Sequence, residues 1–248
     1  MAAPAPLRHL AAAFRFLTRL PVPGPALPAP ELGRVLAWFP VPGLVLGALA
    51  AGFAQVLAGR LAPPVAAALI VAGLAWLTGA LHLDGLADVA DGLGGGHGDA
   101  GRTLAIMRDS RIGAFGAVAV ALLLAVKVTA VAELITQRGG WALLCAPAVA
   151  RFAAVPLVVL FPYARPEGLG RPFHEGGGPR ELAIAGAIAT AVLAAAGLRS
   201  AAPAAAALAA AVAMGLAIRR KLGGLTGDVY GAAVEVAETV FLVCAGLR

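Results

Sequence analysis

Long apolar runs, each with two charges at most, constrain this chain more than any other feature. They fall at 40–59, 62–83, 112–135, 141–162, 182–198, 202–218 and 231–247. About 20 apolar residues suffice for a helix to cross a bilayer. Lipid offers no hydrogen-bond partners, so such a segment must satisfy its own backbone, as a helix does. Composition agrees, since 13% of residues are charged and 60% hydrophobic, against about 25% charged in soluble domains. Disordered and coiled-coil classes fall away because a chain this apolar cannot stay solvated. The expected fold is all-α, a polytopic transmembrane bundle of about seven spans, forming a single integral membrane domain over 1–248.

Basic residues set the expected orientation. With the N-terminus on the cytoplasmic side, thirteen Lys and Arg lie in the segments facing that side and four (Arg60, Arg138, Arg199 and Arg248) in the opposite set. By the positive-inside rule this reads as N-in. The net charge of +6 is therefore a topology signal, and no basic arm or aromatic ladder suggests nucleic acid. Residues 7–20 place Leu10, Phe14 and Leu17 on one face, with Arg8, Arg15 and Arg19 elsewhere. That pattern predicts an interfacial amphipathic helix. The acids crowd toward the same side as the basic loops (84–111, 163–181 and 219–230), so chemistry is expected to face the cytoplasm.

The densest constellation is His82-Leu-Asp84-Gly-Leu-Ala-Asp88-Val-Ala-Asp91. At 100° per residue the three aspartates share one helical face, where like charges repel and invite a cation. Oxygen ligands suit Mg²⁺ or Mn²⁺ better than Zn²⁺. His82 lies off that face and reads as an interfacial hydrogen bonder. Arg108 and Arg111 flank Asp109 and Ser110 before an apolar run, a pattern suited to gripping phosphate beside helix N-terminal amides. The Pro/Gly-rich stretch 161–179 carries Tyr163, Arg165, Glu167, Arg171 and His174 and reads as a lid over a substrate. Thr226 and Asp228 precede the last run, which contains Glu235 and Glu238. Intramembrane carboxylates mark function by default, and Lys127 and Arg151 are natural partners in a buried ion network. Asp228 and Glu235 share a face, so the last span is expected to pack against the aspartate-bearing segment. Gly43 and Gly47 have the spacing of close helix contacts, within the chain or between copies of a homo-oligomer. Cys145 and Cys244 carry no disulfide or metal pattern.

Taken together, GALHLDGLADVADG, IMRDSRIGAFG, ARPEGLG and GGLTGDVYGAAVEVAE resemble the cobalamin synthase family, the adenosylcobinamide-GDP ribazoletransferases. FLTRLPVP and FPVPG nearer the N-terminus resemble it too. The resemblance implies a Mg²⁺-dependent enzyme of the bacterial inner membrane. It would join adenosylcobinamide-GDP to α-ribazole or its 5′-phosphate, giving adenosylcobalamin or its 5′-phosphate and GMP. On that reading Asp84, Asp88, Asp91 and Asp228 hold Mg²⁺ on the diphosphate, and the ribazole 5′-oxygen attacks. Arg108, Ser110, Arg111, Arg165, Arg171, Thr226 and Lys127 contact substrate, while Glu235 or Glu238 positions or deprotonates the hydroxyl. Two other readings of the residues stand beside it. A CDP-alcohol phosphatidyltransferase also spaces aspartates after an Asp-Gly pair, and an ion-coupled transporter would use the intramembrane charges as a relay.

Overall fold

A computed structural model of the chain describes residues 4–247. Among them the order is α1 (Ala5–Leu17), α2 (Ala29–Leu32), a 3-10 stretch at Gly33–Trp38, α3 (Pro40–Leu57), α4 (Pro63–Leu77), α5 (Leu81–Gly95), α6 (Ala100–Ile106) and α7 (Ala114–Thr136). Next come α8 (Gly140–Leu160), α9 (Arg171–Gly176), α10 (Pro179–Ala196), a 3-10 turn at Leu198–Ser200, α11 (Ala201–Leu222) and α12 (Gly227–Gly246). The described residues form no strand, and one isolated bridge joins Tyr163 to Leu225. The protein is thus an all-helical membrane bundle, in which α3, α7, α8, α10, α11 and α12 are each long and apolar enough to cross alone.

The run expected as one span over 62–83 is broken. α4 stops at Leu77, and α5 leaves it at 90°; counted together the pair makes a seventh crossing. The hinge residues Gly79 and Ala80 adopt φ of +64° and +57°, a left-handed conformation that no helix continues through. Thr78 Oγ1 donates to the carbonyls of Leu74 and Ala75 at 3.0 and 3.2 Å, and the Arg19 N–H donates to Leu77 O at 2.6 Å. These bonds occupy the carbonyls that the ended helix leaves open. Hydropathy could not reveal the break, because Thr-Gly-Ala brings no charge that would interrupt the apolar run.

α8 and α12 are the most deeply buried of the crossing helices, and the others wrap them. α3 meets α8 where a Cβ added at Gly43 or Gly47 would overlap the carbonyls of Pro147 or Leu144. The small residues that suggested close packing are therefore spent inside the chain. Replacing Gly47 by leucine should push α3 off α8 and cost at least about 1–3 kcal/mol, the usual scale of overpacking. A detergent melting curve unchanged by that substitution would show that the two backbones have room to separate.

α5 packs along α12 through glycine as well. A Cβ at Gly85 would press on the Asp228 backbone, and one at Gly231 would sit 3.4 Å from the Cα of His82. The expected approach of the last span to the aspartate-bearing segment is thus present, made by α5 and not by α4. α1 also differs in detail from its expected face. It buries His9, Ala12, Ala13 and Leu17, while Leu10 and Phe14 stay half-exposed. His9 and Arg8 reach Glu31 of α2 at 3.0 and 3.5 Å. Cys145 and Cys244 are both free thiols.

Candidate active site

Each aspartate of α5 has its own surroundings. Asp84 lines a cavity of about 550 Å³. Asp88 follows one turn later on α5. Asp91 turns away from the other two. Its carboxylate accepts from the N–H groups of Gly113 and Gly116 at 2.7 and 2.8 Å. It therefore caps the start of α7, where a negative charge meets the positive end of the helix dipole. This differs from the expected three-aspartate metal face, and it also occupies the helix-start amides expected to meet phosphate. The spacing put Asp91 on the same side as its neighbours, but could not show that α7 returns to claim it.

Arg165, from the loop between α8 and α9, lines the same cavity as Asp84. Its Nη1 donates to Asp228 Oδ2 at 2.8 Å, while its Nε and Nη2 are buried without a hydrogen-bond partner. The loop is pinned to α12: Ala164 N–H donates to Leu225 O and Leu225 N–H to Pro162 O, both at 2.8 Å. A Cβ added at Gly170 would lie 3.2 Å from the Gly227 Cα, so glycine lets the loop and the start of α12 pack closely. Thr226 donates to Asp228 Oδ2 at 3.2 Å and accepts from the Val229 N–H at 3.4 Å. Thr226 is fully buried, so it caps α12 and orients Asp228 where substrate contact was expected. Arg108 and Glu167 also border the cavity. The stretch read as a lid lines the cavity and is joined at one end to the segment before α12, with its own Phe173 buried.

The intramembrane charges form a closed group. Lys127 of α7 is ion-paired to Glu235 and, at 3.2 Å, to Glu238. Arg151 of α8 is ion-paired to Glu238 and donates to the Pro147 carbonyl at 3.2 Å. All four side chains are at most 9% exposed, and two positive charges balance two negative ones. The partnership expected for Lys127 and Arg151 is present, and it leaves Glu235, Glu238 and Lys127 off the cavity wall; Arg151 alone of the four borders it. The spaces beside the group measure about 20 and 10 Å³, roughly one water each. That is too small for a transported solute.

Other expected contacts also lie away from the cavity. Arg111 is spent on Asp109 at 2.6 Å, and those hydrogen bonds hold the Asp109 carboxyl down to about 2. Ser110 is exposed beside them. Arg171 pairs with Glu175 at 2.6 Å along α9. Conversely, residues given no catalytic part by their sequence position border the cavity. His82 is 4% exposed with its Nδ1 unpartnered. Tyr230 is buried with its hydroxyl unpartnered. Phe16, Phe39 and Phe173 form an aromatic cluster, with centroid separations of 4.6 to 6.0 Å. His82 belongs to the polar pattern of α5, whereas Phe16, Phe39, Phe173 and Tyr230 come from four distant parts of the chain.

Among the described residues no three His, Cys, Asp or Glu side chains converge to hold a metal ion. Mg²⁺, however, is commonly bound by one or two carboxylates and completes its shell with water and substrate phosphate. Asp84 and Asp88 fit that pattern. Residues 9–246 match the family model described as cobalamin-5-phosphate synthase. The chain belongs to that family. Among cobalamin-5-phosphate synthase relatives, the adenosylcobinamide-GDP ribazoletransferase of Syntrophobacter fumaroxidans is 43% identical over 96% of this chain and 97% of its own. Those of Geotalea daltonii and Pseudomonas aeruginosa strain PAO1 are 42% and 40% identical, over 96% and 97% of this chain and 96% and 98% of theirs. No solved structure matches.

Proposed function

We propose that the chain transfers the adenosylcobinamide phosphate of adenosylcobinamide-GDP to α-ribazole or its 5′-phosphate and releases GMP. The observation that carries this reading is the cavity lined by Asp84, Asp228 and Arg165, the last paired with Asp228 and keeping two unspent guanidinium donors. A guanidinium with free donors in a buried site suits phosphate oxygens, and Arg108 adds a second positive charge at the same wall. Asp84 and Asp88 would hold Mg²⁺, whose chemistry when bound is to neutralise charge developing on the phosphoryl oxygens. The ribazole hydroxyl attacks the corrinoid-side phosphorus in line, the bond from that phosphorus to the bridging oxygen breaks, and GMP departs with the oxygen. Asp228, held by Arg165 and Thr226, is the carboxylate placed to accept the hydroxyl proton.

The family description bears on the attacking atom. Where the acceptor carries phosphate on the ribazole 5′-oxygen, as a cobalamin-5-phosphate product would, that oxygen is already esterified and is not free to attack. With the 5′-phosphate as acceptor, the attack falls to another ribose hydroxyl in place of the 5′-oxygen.

The test is GMP release in proteoliposomes supplied with both substrates, with and without Mg²⁺. Release that matches cobalamin formation and stops when EDTA is added supports the reading; GMP formed equally without the nucleoside acceptor removes it. The cytoplasmic placement of the cavity is also part of the proposal. Cysteines introduced beside Arg138 or Arg199 should react with an impermeant reagent from the outer face of intact bacteria, and cysteines beside Asp99 or Glu175 should not. The reverse pattern would invert the molecule.

A further inference from the structure

We infer that the apolar half of the cavity, walled by Phe16, Phe39 and Phe173, is the subsite for the benzimidazole base of the acceptor nucleoside, with buried donors of α5 and α12 fixing its edge. The inference rests on the proposed activity and deepens it. A volume of about 550 Å³ lies within the range of about 300–1,000 Å³ that encloses a drug-sized ligand. A corrinoid is several times larger, so its macrocycle must stay outside, with only its phosphate arm entering.

Two flat bases then compete for the aromatic wall, the guanine of the donor and the benzimidazole of the acceptor. Guanine carries donors and acceptors around most of its edge, and each one buried without a partner costs free energy. The carboxylates that could accept from it, Asp84, Asp228 and Glu167, are already placed with the phosphate-binding Arg165 and Arg108 in the proposed site. Dimethylbenzimidazole has two methyl groups and, once joined to ribose, one free ring nitrogen that only accepts. The unpartnered groups buried in the same cavity include donors of the kind it needs: the Tyr230 hydroxyl, His82 Nδ1 in its protonated tautomer and Arg151 Nε. Arg151 is held there by Glu238. Phe16 comes from α1, so the N-terminal helix would close the base site.

The experiment uses the full-length protein in nanodiscs, with Phe16→Ala and the milder Phe16→Leu. Binding of α-ribazole is measured at equilibrium without donor, and KM for each substrate is measured in turnover. Loss of a stacking aromatic should weaken α-ribazole binding and raise its KM about tenfold, with the KM of adenosylcobinamide-GDP within about twofold of wild type and Phe16→Leu intermediate. A raised KM for the donor alone would assign the wall to guanine, and no change in either would show that the wall meets no base. Both results overturn the inference while leaving the transferase reading intact. Failure of the unaltered enzyme to release GMP would instead remove that reading, with the binding measurement still deciding the subsite.

Discussion

Asp84→Asn is expected to lower turnover by about 10²–10³-fold, the scale seen when one preorganised charge-stabilising contact is removed from an active site. Asp84 borders the cavity, and no ion pair or hydrogen bond to its side chain competes for it among the described residues. Its neighbour Asp88 stands one turn further along α5, so Asp88→Asn should weaken Mg²⁺ dependence in the same assay. Asp91→Asn should behave differently. Its carboxylate holds two backbone N–H groups at the start of α7, and a hydrogen bond to a charged group is worth about 1.5–3 kcal/mol. The variant should melt earlier while its folded fraction keeps near-normal Mg²⁺ affinity. Turnover followed across a Mg²⁺ titration separates the cases, and an Asp84→Asn enzyme of normal rate would exclude Asp84 from the chemistry.

Glu238→Ala should be the most destabilising single change in the bundle. Glu238 meets both Lys127 and Arg151, and removing one partner from a buried ion group costs about 3–5 kcal/mol because a charge is left uncompensated. Glu235→Gln is expected to be milder, since Lys127 retains Glu238. Thermal unfolding in detergent checks the order. A Glu238→Ala protein as stable as the parent would show that water, not protein, solvates these cations.

The crossing helices were legible because lipid imposes one rule on every segment, and their hydropathy is nearly uniform along the length. α4 and α5 were not, since a left-handed turn at Gly79 and Ala80 leaves the hydropathy unchanged. In the site, Asp84, Asp88, Asp228, Arg165 and Arg108 were readable as charges placed where charge is unusual. The separation of Asp91 from its neighbours was hidden, because the partner that takes it is a backbone amide on α7, and backbone amides have no sequence signature. Phe16, Phe39 and Phe173 were hidden for a related reason. An apolar residue in an apolar chain is marked by what it faces, and that depends on how distant segments meet.

The closed charge group also bears on how the chain is made. Lys127 and Arg151 are synthesised 87 to 111 residues before the glutamates that neutralise them, an interval of about 5–20 s at ordinary elongation rates. Throughout it, α7 and α8 must wait in or beside the bilayer with cations that each cost about 2.5–3.5 kcal/mol to insert. α12, made after both, is the helix that neutralises them. Nascent chains released before its synthesis would keep two unmatched cations, which makes arrival of α12 the event that closes the charge group.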